Sequence, residues 1–161
     1  MKNSVAHTVW RNPIHILSFG FGAGLSPIAP GTMGTLIAIP IYLLIATFSL
    51  EIYVLFVAML FLVGCWASAQ TTKALNVHDH PGIVIDEIVG YLITMLFIPI
   101  VWYWVILGFL LFRLFDIWKP WPISIADRQL KGGLGIMLDD VLAGLYSLLS
   151  LHIVIWSVKF L

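Results

Sequence analysis

Charge is what this sequence has least of. Of its 161 residues, 10% are Asp, Glu, Lys or Arg, 61% are hydrophobic, and the mean hydropathy is +1.03. A soluble domain carries roughly 25% charged residues. There is too little polar surface here to cover a water-soluble globule, so the composition places the chain in a bilayer. Eight basic residues balance eight acidic ones, which leaves no net positive charge to attract a nucleic acid. Cysteine is almost absent: Cys65 stands alone inside an apolar run, which excludes an intramolecular disulfide. A compact apolar leader core is also missing, because Arg11, Pro13, Pro27 and Pro30 break up the first thirty residues, and a cleavable signal peptide is therefore not expected. The length predicts one domain over residues 1–161.

What the chain has instead is long apolar runs with seven Trp and five Tyr, residues that favour membrane interfaces. Trp10, Ile14, Leu17 and Phe21 recur at helical spacing and predict a short amphipathic helix lying on the membrane. Between Phe19 and Thr35 five glycines and two prolines make a stretch too irregular for a helix. Thr35–Leu50 and Ile52–Thr72 then form a hairpin of apolar runs, the second with 21 uncharged residues, about the length of a span. Ile88–Phe112 is uncharged for 25 residues. Read as two spans, Ile83–Val101 and Trp102–Trp118, it returns both charged ends to one face and sets Trp102, Tyr103 and Trp104 at the other. The positive-inside rule favours that division. A last run, Ile136–Leu161, completes an all-α, polytopic helical bundle of about five spans plus the N-terminal interfacial helix. In this topology Lys159 and Glu51 lie on the outer face, and the other charged residues fall at the cytoplasmic end.

The charges themselves are clustered. Eight of the sixteen lie between Arg113 and Asp140, and charge held close to lipid is usually paired, solvated or functional. Asp86-Glu87 and Asp139-Asp140 each open a helix, where the macrodipole favours anions, and Gly90 and Gly144 one turn on allow a close backbone approach. Asp116 lies near the end of an intervening helix of opposite direction, so its depth can match theirs. Asp86, Glu87, Asp116, Asp139 and Asp140 in one cluster would repel unless a cation intervened. All-oxygen ligation suits Mg²⁺, and one ion or two would fit. Arg113, Asp116 and Lys119 are spaced three apart on one helix face, with Arg and Lys suited to phosphate. SPIAPGTMGT offers Gly31, Thr32, Gly34 and Thr35 at a helix entry as a candidate phosphate cradle. His78-Asp79-His80 reads as a polar interfacial loop rather than a metal site, since no second His or Cys cluster completes it.

Four blocks in order, SPIAPGTMGT, IDEIVGY, FRLFDIWKPWPI and MLDDVLAG, resemble the bacterial phosphatidylglycerophosphatase A family over residues 14–158. The resemblance implies a Mg²⁺-dependent, multi-pass phosphatase of the bacterial inner membrane. Its active site would face the cytoplasm and convert phosphatidylglycerophosphate to phosphatidylglycerol. Within that expectation Asp86, Glu87, Asp116, Asp139 and Asp140 hold the metal, and Asp86 and Asp116 are also candidates for base or nucleophile. Arg113 and Lys119, with the Thr32–Thr35 loop, position the phosphate. Direct water attack and a covalent aspartyl-phosphate both remain open. A small ion transporter would need its acids near mid-membrane, and a non-catalytic scaffold gives no reason for acids at matching depth.

Overall fold

The computed structural model describes residues 2–77 and 80–159, and they are all-helical. The helices are α1 (Lys2–Trp10), α2 (Pro13–Ser18), α3 (Pro30–Ile45), α4 (Leu50–Leu75), α5 (Ile85–Thr94), α6 (Trp102–Trp118), α7 (Ile123–Gln129) and α8 (Gly132–Lys159), with a 3₁₀ segment at Gly20–Leu25. The expected amphipathic helix through Trp10 and Phe21 is broken into pieces. Asn12 caps α2 by accepting the Ile14 N–H at 3.0 Å, Pro13 occupies its first turn, and Phe21 is left-handed at φ 57°. The irregular stretch ends earlier than expected, because Pro30 starts α3 with its φ preset and its missing N–H unneeded.

The buried centre of the bundle is α5. All of its residues from Ile88 to Thr94, and Ile85 before them, are buried, with α3, α4, α6 and α8 packed around it. This corrects the expected span Ile83–Val101. Ten helical residues rise only about 15 Å, roughly half the hydrocarbon thickness, and from Met95 the chain turns through a left-handed Phe97. A helix ending inside a core leaves carbonyls without partners. Buried tyrosines of neighbouring helices supply donors there, Tyr53 to Leu92 O at 2.7 Å and, just past the helix, Tyr42 to Ile98 O at 3.2 Å, while Tyr91 of α5 donates to Val105 O of α6 at 3.1 Å. The three rings meet edge to face, with Tyr42 against both Tyr53 and Tyr91.

The α5–α8 crossing is as close as the small residues predict. A Cβ at Gly144 would lie 2.5 Å from Gly90 O, and one at Gly90 2.7 Å from Asp140 O. This contact sets the two acidic pairs side by side.

The count of about five spans is not confirmed. Two helices, α4 and α8, are long and apolar enough to cross a membrane, and only 28% and 22% of their most apolar windows are buried. A soluble core helix would be mostly covered. These instead turn Leu55, Met59 and Leu62, and Leu149, Ile153 and Trp156, outward, as a membrane-associated protein does. The exposed Trp102 and Tyr103 begin α6, at the opposite end from the charged groups that finish it.

Candidate active site

Five chain segments converge at one end of the bundle. The first turn of α5 carries Asp86 and Glu87; the last turns of α6 carry Arg113 and Asp116. Lys119 follows as the α6 C-cap, left-handed at φ 45°, because Pro120 and Pro122 stop the helix. Asp139 and Asp140 lie two turns into α8, and Asp127 comes from α7. Together with Gly31 at the start of α3 they line one pocket of about 430 Å³.

Oxygens of Asp86, Glu87 and Asp140 lie within 4.8 Å of one another. Arg113 Nη1 donates to Asp116 Oδ2 at 2.5 Å and lies 3.8 Å from Glu87 Oε1. Lys119 Nζ bridges Asp127 Oδ1, at 2.6 Å, and Asp139 Oδ2. Glu87 Oε2, Asp139 Oδ1, Asp140 Oδ2 and Arg113 Nε are buried without a hydrogen-bond partner in the protein. Six carboxyl groups thus face two cations around the pocket. Burial raises the Asp86 pKa well above the carboxylate range, and the nearby Glu87 and Asp140 charges add to the shift. Burial also lifts Glu87 to about 7, although the Asp86 hydrogen bond and the Arg113 charge oppose the rise. For Lys119, burial favours the neutral amine, but hydrogen bonds to Asp127 and Asp139 outweigh it and keep the ammonium charged.

Such a set fits a hard divalent cation. The donors are all oxygen, they converge from two helices, and three buried carboxylate oxygens lack the partners that burial normally demands. Beside them, Arg113 Nε is a buried donor with an unmade bond, suited to an oxyanion. An acidic metal site adjoining a cationic anion site is the arrangement of phosphoryl-transfer chemistry.

The phosphatidylglycerophosphatase A family model matches residues 16–155, a range that contains every residue of this cluster. The chain belongs to the phosphatidylglycerophosphatase A family. Phosphatidylglycerophosphatase A of Escherichia coli K12 is 49% identical to it over 137 residues, covering 84% of this chain and 80% of the relative. That of Haemophilus influenzae is 44% identical over 151 residues, covering 92% and 90%. A Bacteroides thetaiotaomicron protein provisionally named a phosphatidylinositol-3-phosphatase is 39% identical, covering 89% and 94%. No solved structure matches the chain.

In this phosphatidylglycerophosphatase A family member the seven charged residues picked out in the sequence all line the pocket. The glycine-threonine loop contributes less than expected. Gly31 reaches the pocket wall, whereas Thr32, Gly34 and Thr35 do not. Thr35 is fully buried and its hydroxyl donates to Gly31 O at 2.9 Å. Gly34 lies against Val84, where a Cβ would come within 2.6 Å of that side chain. Because α3 begins at Pro30, helical rotation carries Thr32 off the face of Gly31, and Gly34 and Thr35, which share that face, lie one turn further along the helix and deeper in the bundle. At Gly31 the need is space, since a Cβ there would sit 2.1 Å from Glu87 Oε1 and 3.1 Å from Arg113 Nη1.

Two titratable residues of the pocket wall, Asp127 and His80, had no role assigned from sequence. Asp127 reaches Lys119 across the Pro120–Pro122 turn, a relation that helical spacing does not reveal. His80, within the supposed interfacial loop, forms part of the wall; its Nδ1 accepts the Gly82 N–H at 3.0 Å and its ring packs on Phe19. His78 and Asp79 lie outside the described residues.

Proposed function

We propose that this chain hydrolyses the terminal phosphomonoester of phosphatidylglycerophosphate, releasing phosphate and phosphatidylglycerol, the precursor of cardiolipin. It would do so with Mg²⁺ at the cytoplasmic face of the bacterial inner membrane. The observation that carries the reading is the meeting of six carboxyl groups with Arg113 and Lys119 in one pocket, in a chain whose relatives bear that activity in their names. The cations support the orientation: Lys73, Arg113 and Arg128 sit on helices that end at the pocket end, Lys119 and Lys131 lie in the connections there, and Lys159 closes α8 at the far end. The acids lie near helix ends at that face rather than at mid-span, which disfavours an ion-transport path.

Asp86, Glu87 and Asp140 would hold the metal, with Asp139 and Asp116 beside them. Bound Mg²⁺ would supply charge neutralisation at the phosphoryl oxygens and a more acidic bound water. The chain's own groups do the rest. Arg113 is fixed by its bond to Asp116 and presents Nε to a phosphoryl oxygen. Lys119, pinned between α7 and α8, adds positive charge where negative charge accumulates. Asp116 or Asp86 accepts the proton of the attacking water and passes it to the glycerol oxygen as its bond to phosphorus breaks, or attacks phosphorus itself, expelling that oxygen to be protonated by water and leaving an aspartyl-phosphate that a second water hydrolyses. Phosphate release from phosphatidylglycerophosphate in detergent micelles, with Mg²⁺ and then with EDTA, tests the reading. Phosphatidylinositol 3-phosphate serves as the competing substrate. Mg²⁺-dependent release favouring the glycerol lipid is expected; no release from folded protein would overturn the proposal.

A further inference from the structure

A second cavity, of about 580 Å³, adjoins the charged pocket. Val5 and Ala6 of α1 form one side, and Leu25 and Pro27 of the glycine-rich stretch form another. The two cavities share Pro30, His80 and Pro81 as walls. The volume is in the range of small-molecule sites, and its lining is mainly apolar. Another apolar groove, on the α4–α8 face between Val57, Phe61, Ile93 and Leu138, shares no wall residue with the charged pocket. The segment that carries the cavity also turns Trp10, Phe21 and Ile28 outward, side chains that partition into a bilayer interface.

We infer that this cavity seats an acyl chain of the phospholipid substrate while its phosphomonoester occupies the charged pocket. The inference rests on the hydrolytic reading above for the identity of the substrate. A phosphomonoester joined to a diacyl tail needs an anionic-group site and an apolar site in direct continuity, and among the described residues these two cavities meet that requirement. The path between them crosses Pro30, His80 and Pro81. The α1 wall thereby becomes a determinant of affinity for the lipid rather than of the chemical step. Binding energy from a part of the substrate remote from the reacting bond enters in this way.

The test has two independent arms on the full-length protein in micelles. In the first, Ala6→Trp and Pro27→Trp fill the cavity from opposite walls, and Mg²⁺-dependent phosphate release is followed from the diacyl lipid and from its deacylated, water-soluble headgroup. The expected result is a rise in KM for the diacyl lipid of about tenfold with kcat nearly kept, the pattern of lost uniform binding. Turnover of the soluble headgroup should stay within about twofold of wild type. Equal losses on both substrates, or no loss on either, overturn the assignment. In the second arm, wild-type protein is photolysed with phosphatidylglycerophosphate bearing a diazirine on one acyl chain, and the adducts are mapped by mass spectrometry. Adducts on α1 and residues 24–27 are expected. Adducts confined to the outer faces of α4 and α8 would assign the chain to bulk lipid contact and refute the cavity. Cross-linking needs no turnover, so it reads the cavity even if the hydrolytic reading fails in the first arm.

Discussion

Replacing Gly31 by alanine separates two roles for the glycine-rich loop. If Gly31 served as a backbone donor to phosphate, alanine would keep the N–H and activity would persist. The structure predicts otherwise. The new Cβ would lie 2.1 Å from Glu87 Oε1, whereas an unstrained contact between carbon and oxygen needs roughly 3.2 Å. Glu87 must therefore retreat by about 1 Å, and a misplacement of that size at a reacting centre costs on the order of 10²-fold in rate. The fold itself is expected to tolerate the change, because the colliding atom is the end of a side chain. Alanine is also the better helix former, by up to about 1 kcal/mol in a helix interior, and Gly31 lies within α3. The assay is kcat for phosphate release beside the Tm of the same purified sample. A loss near 10²-fold with Tm unchanged or raised is expected. A variant retaining half or more of wild-type kcat would refute the steric argument and restore the cradle.

Four further outcomes are expected. Asp86→Asn and Asp140→Asn should each lower turnover by at least about 10²-fold, since each removes a charge from the proposed metal site. Without metal, the same variants should be no less stable than wild type in thermal unfolding, because each relieves repulsion within the acidic cluster. Asp127→Asn should weaken the Lys119 bridge without abolishing it, giving a loss of about threefold to tenfold against a much larger loss for Lys119→Met, measured as kcat under saturating lipid. Glu87 holds its proton up to about pH 7 when folded, against an ordinary value of 4.5, and Asp86 is shifted the same way. The folded state thus binds more protons than the unfolded chain between those values, and metal-free stability should fall as pH rises from about 4.5 to 7. Thermal melts in EDTA across that window read this, and added Mg²⁺ should flatten the slope. Gly144→Leu should prevent proper assembly, because even a Cβ there meets Gly90 O at 2.5 Å; loss of monodisperse protein in detergent would show it.

Much of the site was legible in the sequence because charge is so scarce in it. With eight of sixteen charges packed between Arg113 and Asp140, and a separate acidic pair at Asp86-Glu87, few arrangements could neutralise them other than a shared site. Gly90 and Gly144, each one turn beyond an acidic pair, announced the crossing that joins them. Hydropathy alone could not tell a span from a buried core helix. Ile83–Val101 is apolar enough for either, and α5 is a core helix because Tyr42 of α3 and Tyr53 of α4 bond carbonyls near its C-terminal break, while its own Tyr91 ties it to Val105 O of α6. The loop was read one step too irregular, since Pro30 starts a helix, whose rotation turns Thr32 off the face of Gly31 and whose rise carries Thr35 one turn deeper than the pocket.

The sequence by itself therefore determined which seven charged residues share the pocket, the all-helical class and the family, because scarcity of charge and short ordered motifs are properties of the linear chain. Only the tertiary structure decided how the acids are paired, that Gly31 makes room for Glu87, that Asp127 anchors Lys119, and which apolar run lies inside. Those outcomes depend on where side chains of different helices end up within a few ångströms of each other. Hydrogen-bond reach and steric contact act over that distance, and sequence spacing between helices carries no record of it.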